Sequence, residues 1–232
     1  MFYFKHIYQT NRSPFLDNSV ILKNIYEELC DGVVIFSNKI DYINCLVSVS
    51  CNLEDEINSR REISEAITDP VVNIISWEFA IPIKSIKTLE IKEKTFKKLI
   101  FSLKKQRQNL QTNKNFQNLE RYLSYDSQII FTVYRQAKNE PNRALKYFMF
   151  YRILELLIGS QKSIDTWLAK RFPNEIVFVS SPRLKHRKES LVNHFRNHIH
   201  SNKLLFPYGR FYKMLPMVEK ITRTAIQEIV LK

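Results

Sequence analysis

Four of the five histidines, His186, His194, His198 and His200, lie within fifteen residues of one another, and Arg183, Lys185, Arg187, Lys188, Arg196 and Lys203 surround them with Glu189 as the one acid. Histidine titrates near neutrality and can take or give a proton, whereas arginine stays charged and grips phosphate oxygens through paired donors. Together they suffice for phosphodiester cleavage. One imidazole takes the proton of a ribose 2′-hydroxyl or protonates the leaving 5′-oxygen, and a guanidinium stabilises the phosphorane-like transition state. That scheme needs no metal and no cofactor.

A helix through this stretch gathers Leu191, Val192, Phe195 and Ile199 into an apolar stripe and leaves Asn193, Arg196, Asn197 and His200 on the neighbouring face. Arg196 and His200, four apart, then point the same way. They are the candidate catalytic pair, with Asn197 orienting the phosphate or the histidine tautomer. The alternative for the pair is a set of cations at a helix C-terminus, favoured by the dipole, and for Asn197 a cap. His194 and Glu155 are candidate supporting residues. Glu155 lies in a very apolar helix, from which it either positions an arginine or histidine or pairs with Arg152. His198 reads as a surface or RNA contact. His194 and His198 have the HxxxH spacing of a zinc pair, but position 195 is Phe rather than the Glu of a metalloprotease and carboxylates are scarce, so no metal is expected. Arg183, Lys185, Arg187, Lys188 and Lys203 are the expected nucleic-acid contacts.

The whole chain carries 36 Lys and Arg against 23 Asp and Glu, a net charge of +13. Such a surface favours polyanions through counterion release, and RNA is the expected partner; a solvated basic face is the bland alternative. Gly32, Gly159 and Gly209 are the only glycines, too few and too dispersed for a P-loop or a GxGxxG turn. Cys30, Cys45 and Cys51 form no CxxC pair and read as reduced thiols rather than a disulfide framework or zinc ribbon. The first residues lack the pattern of a signal peptide, and Tyr147 to Ile158, the longest apolar stretch, is interrupted by Arg152 and Glu155 and too short to span a bilayer. A cytoplasmic protein with no membrane association is expected.

These residues must be positioned by an α+β chain. Residues 1–115 read as a mixed α/β region: a helix over Asn18–Cys30 ended by Gly32, a hairpin of Val33–Phe36 and Tyr42–Ser50, a polar surface helix or loop over Leu53–Ala66, a strand over Val71–Ile83, and a helix built on Phe96, Leu99, Ile100 and Leu103. Its basic runs Lys97-Lys98 and Lys104-Lys105, near Phe96 and Phe101, are either an RNA surface or the solvated side of that helix. The polar stretch Gln111–Asn118 is the linker candidate, with a boundary near 115. Residues 116–232 read as helical: Tyr125–Lys138, Arg143–Ile158 capped by Gly159, a short helix around Ile164–Arg171 with Ser163 or Asp165 as N-cap, Leu184–His200, and an amphipathic helix carrying Phe211, Leu215, Val218, Thr222, Ala225 and Ile229. Glu175–Val179 reads equally as a strand or a buried loop. Phe206, Tyr208, Phe211 and Tyr212 follow the cluster and either stack on bases or pack the last turn.

The stretch Phe195-Arg-Asn-His-Ile-His-Ser201 resembles the signature of the HEPN superfamily, helical domains named for higher eukaryote and prokaryote nucleotide binding. Its ribonuclease members carry an Arg, often followed by Asn, and then a His, which map to Arg196, Asn197 and His200. The family leaves four to six residues between Arg and His; here three intervene, while Arg187 and His194 enclose six but lack the adjoining Asn. The helical pair containing Ala144-Leu-Lys-Tyr-Phe-Met-Phe-Tyr-Arg-Ile-Leu-Glu155 also resembles bacterial HEPN proteins, some linked to defence, so the resemblance covers residues 119–232. It implies an all-α HEPN-like bundle and a metal-independent endoribonuclease, a toxin or defence effector, that leaves 2′,3′-cyclic phosphate ends from a site assembled across a homodimer. An inhibitor or other protein partner is the corresponding expectation for holding such an enzyme off, and residues 1–115 are then a recognition or regulatory region. The competing expectation is a non-catalytic RNA-binding or assembly module with a degenerate motif.

Overall fold

The computed structural model describes residues 1–11, 19–26, 30–37, 39–50, 57–106, 125–181, 188–200 and 208–230. The chain is α+β, an antiparallel sheet followed by helices, and divides into two compact units, Met1–Asn139 and Glu140–Lys232.

The first unit is built on a five-stranded sheet. Its strands are β1 (Phe2–Thr10), β2 (Ser19–Tyr26), β3 (Cys30–Phe36), β4 (Tyr42–Val49) and β5 (Ile83–Ile91), in the spatial order β2-β3-β4-β1-β5. The antiparallel register sets Phe4 opposite Val47, His6 opposite Cys45 and Tyr8 opposite Ile43, so these side chains share one face. Helix α1 (Ile57–Glu78) packs on it, with the Tyr8 hydroxyl 3.2 Å from Thr68 Oγ1. The opposite face carries Val34, Phe36 and Leu46, covered by Phe96, Leu99, Ile100 and Leu103 of α2 (Glu93–Gln106). The central strand β4 is therefore buried from Ile43 to Val49. Helix α3 (Tyr125–Asn139) packs on α1.

Three expectations for this unit are corrected. Asn18–Cys30 contains strand β2 rather than a helix, because Val20, Ile21 and Leu22 pair with Ile35, Val34 and Val33; Gly32 lies inside β3, opposite Lys23. Val71–Trp77 is helical rather than extended. That β-branched run is buried throughout, between the sheet and α3, and an apolar run covered on both sides shows no periodicity to distinguish helix from strand. The strand expected there begins only at Ile83. Helix α3, which the sequence reading groups with the C-terminal helices, belongs to the first unit. The linker at 111–118 and the boundary near 115 lie outside the described residues.

The second unit comprises α4 (Arg143–Ile158), α5 (Gln161–Arg171), a short antiparallel pair β6 (Phe178–Ser180) and β7 (Lys188–Ser190), α6 (Leu191–His200) and α7 (Tyr208–Ile229). Asn142 caps α4 by accepting from the amides of Ala144 and Leu145, and Gly159 ends it at φ 97°, a left-handed conformation that glycine adopts at little cost. Ser160, rather than Ser163 or Asp165, caps α5. Asp165 is instead buried and accepts from the Ser190 amide at 2.9 Å. Ser190 Oγ in turn accepts from the Asn193 amide at 3.2 Å, so Ser190 is the N-cap of α6 and the helix starts at Leu191 rather than at Leu184. Helix α7 packs along α4, with Thr222 Oγ1 3.2 Å from the Phe150 carbonyl. Among the described residues no helix is long and apolar enough to cross a membrane.

Candidate functional site

Helix α6 places His194, Arg196, Asn197 and His198 within two turns, and its periodicity decides what each side chain meets. Val192 and Phe195 are buried, as the apolar stripe requires, but so are Asn193 and Asn197. A buried amide has to be hydrogen-bonded. Asn193 accepts from the Tyr151 hydroxyl of α4 and donates to the Gln161 carbonyl of α5 at 2.8 Å. One turn on, Asn197 accepts from Gln161 Nε2 at 3.1 Å and donates to Glu189 Oε2 at 3.2 Å. Tyr147 adds a third tie, its hydroxyl donating to the Val192 carbonyl at 2.7 Å. Burial raises the pKa values of both Tyr147 and Tyr151, so both remain protonated donors.

Glu189 closes a second set of bonds. Its side chain is 5% exposed, and its Oε1 lies 3.0 Å from Nδ1 of His194. An ionised carboxylate can only accept, which puts the His194 proton on Nδ1 and leaves Nε2 with a lone pair. That Nε2 stands 2.9 Å from Nε2 of His198, with the rings nearly edge to face at a centroid separation of 4.4 Å. The result is a continuous line, Glu189–His194–His198, in which the outer imidazole donates to the inner one. His198, read from sequence as a surface contact, is thus joined to His194.

Arg196 is held from the α4 side. Its Nη2 lies 3.2 Å from Glu155 Oε1, and its guanidinium sits 5.6 Å and 5.7 Å from the ring centroids of Phe148 and Tyr151. Arg152 takes the other Glu155 oxygen at 3.1 Å. Glu155 therefore both pairs with Arg152 and positions Arg196, and the two arginines against one carboxylate leave a net positive charge. Arg196 Nη1 also reaches Asn197 Oδ1 at 3.4 Å, a long contact, and its Nε has no hydrogen-bond partner among the described residues. The Arg196 side chain is 19% exposed.

The structure thus joins Arg196 to Glu155 and His194 to Glu189, with Asn197 bonded to Glu189 and in long contact with Arg196; His194 and Arg196, two residues apart, leave α6 about 160° from each other. His200 is the last residue of α6, and its side chain falls outside the described residues, as do Arg183, Lys185, His186, Arg187, Lys203, Phe206 and the side chains of Tyr208, Phe211 and Tyr212. Lys188 is exposed on β7. Sequence reasoning missed Glu189, Gln161 and Tyr151 as positioning residues. The available signal for Glu189 was its isolation as the one acid among six basic side chains; Gln161 and Tyr151 had none. Among the described residues no group of three or more His, Cys, Asp or Glu side chains is placed to hold a metal ion.

Compared with family models, with curated proteins and with solved structures, the chain matches none.

Proposed function

We propose that the C-terminal helical unit is a metal-independent endoribonuclease of HEPN type that cleaves RNA by 2′-hydroxyl attack, in the setting of a toxin or defence effector. The observation that carries the reading is that one ten-residue helix holds both the Glu189–His194–His198 line and an arginine fixed by Glu155. In this reading the 2′-oxygen attacks phosphorus, an imidazole of α6 takes the 2′-proton, and the P–O5′ bond breaks as a second imidazole protonates the leaving oxygen. The products are a 2′,3′-cyclic phosphate and a 5′-hydroxyl. Arg196 stabilises the charge gained by the phosphoryl oxygens. His200, on the face of Arg196 by helical spacing, supplies one imidazole, and the His194–His198 pair, on another face of α6, supplies the second from the partner protomer of the expected homodimer. Asn197 acts by positioning, because its amide is buried and committed to Glu189 and Gln161. RNA is the substrate, a homodimer the expected assembly and the cytoplasm the expected compartment.

A second reading has support from one observation. Arg196 and Asn197 both find partners within the unit, which suits a non-catalytic RNA-binding or assembly module with a structural Arg–Asn pair.

The deciding experiment follows end-labelled RNA with purified protein in EDTA, with Arg196→Ala, His194→Ala, His198→Ala and His200→Ala prepared in parallel and checked for folding by circular dichroism. Cleavage that survives EDTA, leaves cyclic phosphate and falls in the arginine and histidine variants supports the nuclease. Wild type that binds RNA without cutting it supports the module.

A further inference from the structure

The most exposed large apolar side chain among the described residues is Phe101, at 66%, on the outer side of α2. Packing does not account for it, since α2 already buries Leu103 and covers the sheet with Phe96, Leu99 and Ile100. Its neighbours are cationic. Lys94, Lys97 and Lys98 precede it by seven, four and three residues, which places all three on its face of the helix, and all three are exposed. Glu93 pairs with Lys97. The sequence repeats the spacing beyond the ring at positions 104 and 105, both lysine, and from Ile83 to Gln106 eight lysines oppose two glutamates.

We propose that this face of α2 binds single-stranded nucleic acid, with Phe101 as a stacking platform for a base and the flanking ammonium groups tracking the phosphates. An aromatic ring left in water among cations is the combination by which proteins hold single strands without reading sequence. A membrane surface shares the charge preference but requires a broad apolar face to insert, and the apolar face of α2 is spent on the sheet. A duplex offers phosphates but no free base to stack. The surface belongs to the first unit and involves none of the residues assigned to cleavage, so it stands or falls by binding alone.

The test is fluorescence anisotropy of the full chain with a short labelled 2′-O-methyl RNA strand, which lacks the attacking hydroxyl and cannot be cut. Phe101→Ala should weaken binding at least about fivefold, as expected when a base loses its aromatic platform, and Phe101→Tyr should restore it. Lys94→Gln with Lys98→Gln should lower the slope of log affinity against log salt by about 1.4, near 0.7 for each phosphate no longer neutralised. A duplex of the same length should bind Phe101→Ala as it binds wild type. Single-strand affinity unchanged by Phe101→Ala would overturn the proposal. So would an equal loss on an abasic strand, or wild-type binding to phosphatidylserine vesicles that Phe101→Ala removes.

Discussion

Nδ1 of His194 lies 3.0 Å from Oε1 of Glu189, five residues before it, while the second oxygen of the same carboxylate takes the Asn197 amide at 3.2 Å. One buried acid in the middle of β7 thereby fixes both an imidazole tautomer and the adjoining turn of α6. Its place is secured by the start of the helix, where Asp165 holds the Ser190 amide and Ser190 caps Asn193. A candidate proton-transfer group is thus anchored through backbone on one side and side chain on the other.

Glu189→Gln tests that anchoring. Glutamine keeps the shape but presents an amide whose N–H2 group can face Nδ1, which favours the opposite tautomer of His194 and leaves its Nε2 protonated. RNA cleavage in EDTA should fall by roughly 100-fold or more, the scale of general acid–base catalysis, with the circular dichroism spectrum preserved. Initial rates on end-labelled RNA measure it. An unchanged rate would remove His194 from the chemistry.

Tyr151 and Asn193 supply a stability prediction independent of function. The Tyr151 hydroxyl donates to Asn193 Oδ1, both residues are buried, and Asn193 also serves the Gln161 carbonyl. Tyr151→Phe leaves an amide oxygen without its donor and should cost about 1–2 kcal/mol. Asn193→Ala strands a hydroxyl and a carbonyl together and should cost about 2–4 kcal/mol. Urea unfolding of both variants and of their combination checks the order. A double variant no worse than Asn193→Ala alone would show that the two losses are one interaction.

The ends of α4 could be read from Asn142 and Gly159 because a cap and a left-handed stop are local chemistry, and the β3–β4 hairpin could be read from its β-branched runs. Helix α1 could not, because Val71–Trp77 is buried throughout and its two polar residues, Asn73 and Ser76, turn inward to partners rather than marking a solvated face. Strand β2 failed for a related reason: its apolar residues are compatible with either period, and pairing with β3 decides. At the site, histidine and arginine types pointed to α6. The residues that hold them, Glu189, Gln161 and Tyr151, come from β7, α5 and α4 and meet α6 only in three dimensions. Asn197 looked like a member of an outward face because its chemistry is polar. It turns inward because Gln161 and Glu189 satisfy it there.

His6 gives the first unit a pH dependence whose sign is fixed by burial. It is 2% exposed in β1, with Nδ1 3.1 Å from Thr88 Oγ1, and Thr88 in turn donates to Glu65 at 2.8 Å. Desolvation lowers the pKa of the imidazole to about 4 from 6.5, despite the opposing pull of Glu65 and Asp69. Between those values the unfolded chain binds a proton that the folded chain refuses, so stability is full above about pH 6.5 and declines as pH falls toward 4. The loss on going from pH 7 to 4 should be about 3 kcal/mol on top of the background from other groups. Chemical denaturation across this range, compared with His6→Phe, isolates it. The variant should show a visibly flatter profile, and parallel profiles would mean that His6 titrates normally.

Pro70 lies within α1, where its ring removes the amide that would bond to the Ala66 carbonyl four residues earlier. Ala66, Asp69, Pro70 and Asn73 line one wall of a cavity of about 350 Å³, faced by Gln128, Thr132, Arg135 and Gln136 of α3. Asn73 donates to Thr132 at 2.8 Å, and Arg135 pairs with Asp69 at 3.1 Å, so polar bonds bridge the helices across the point where the backbone bond is missing. Pro70→Ala supplies the missing donor. Proline in a helix interior costs about 3 kcal/mol, and its stiffening of the unfolded chain returns up to about 1 kcal/mol. The substitution should therefore stabilise the unit by about 2 kcal/mol, seen as a higher urea midpoint at unchanged slope. If it destabilises instead, the half-buried ring contributes more by packing than the absent bond costs, and the proline is part of how α1 fits between the sheet and α3.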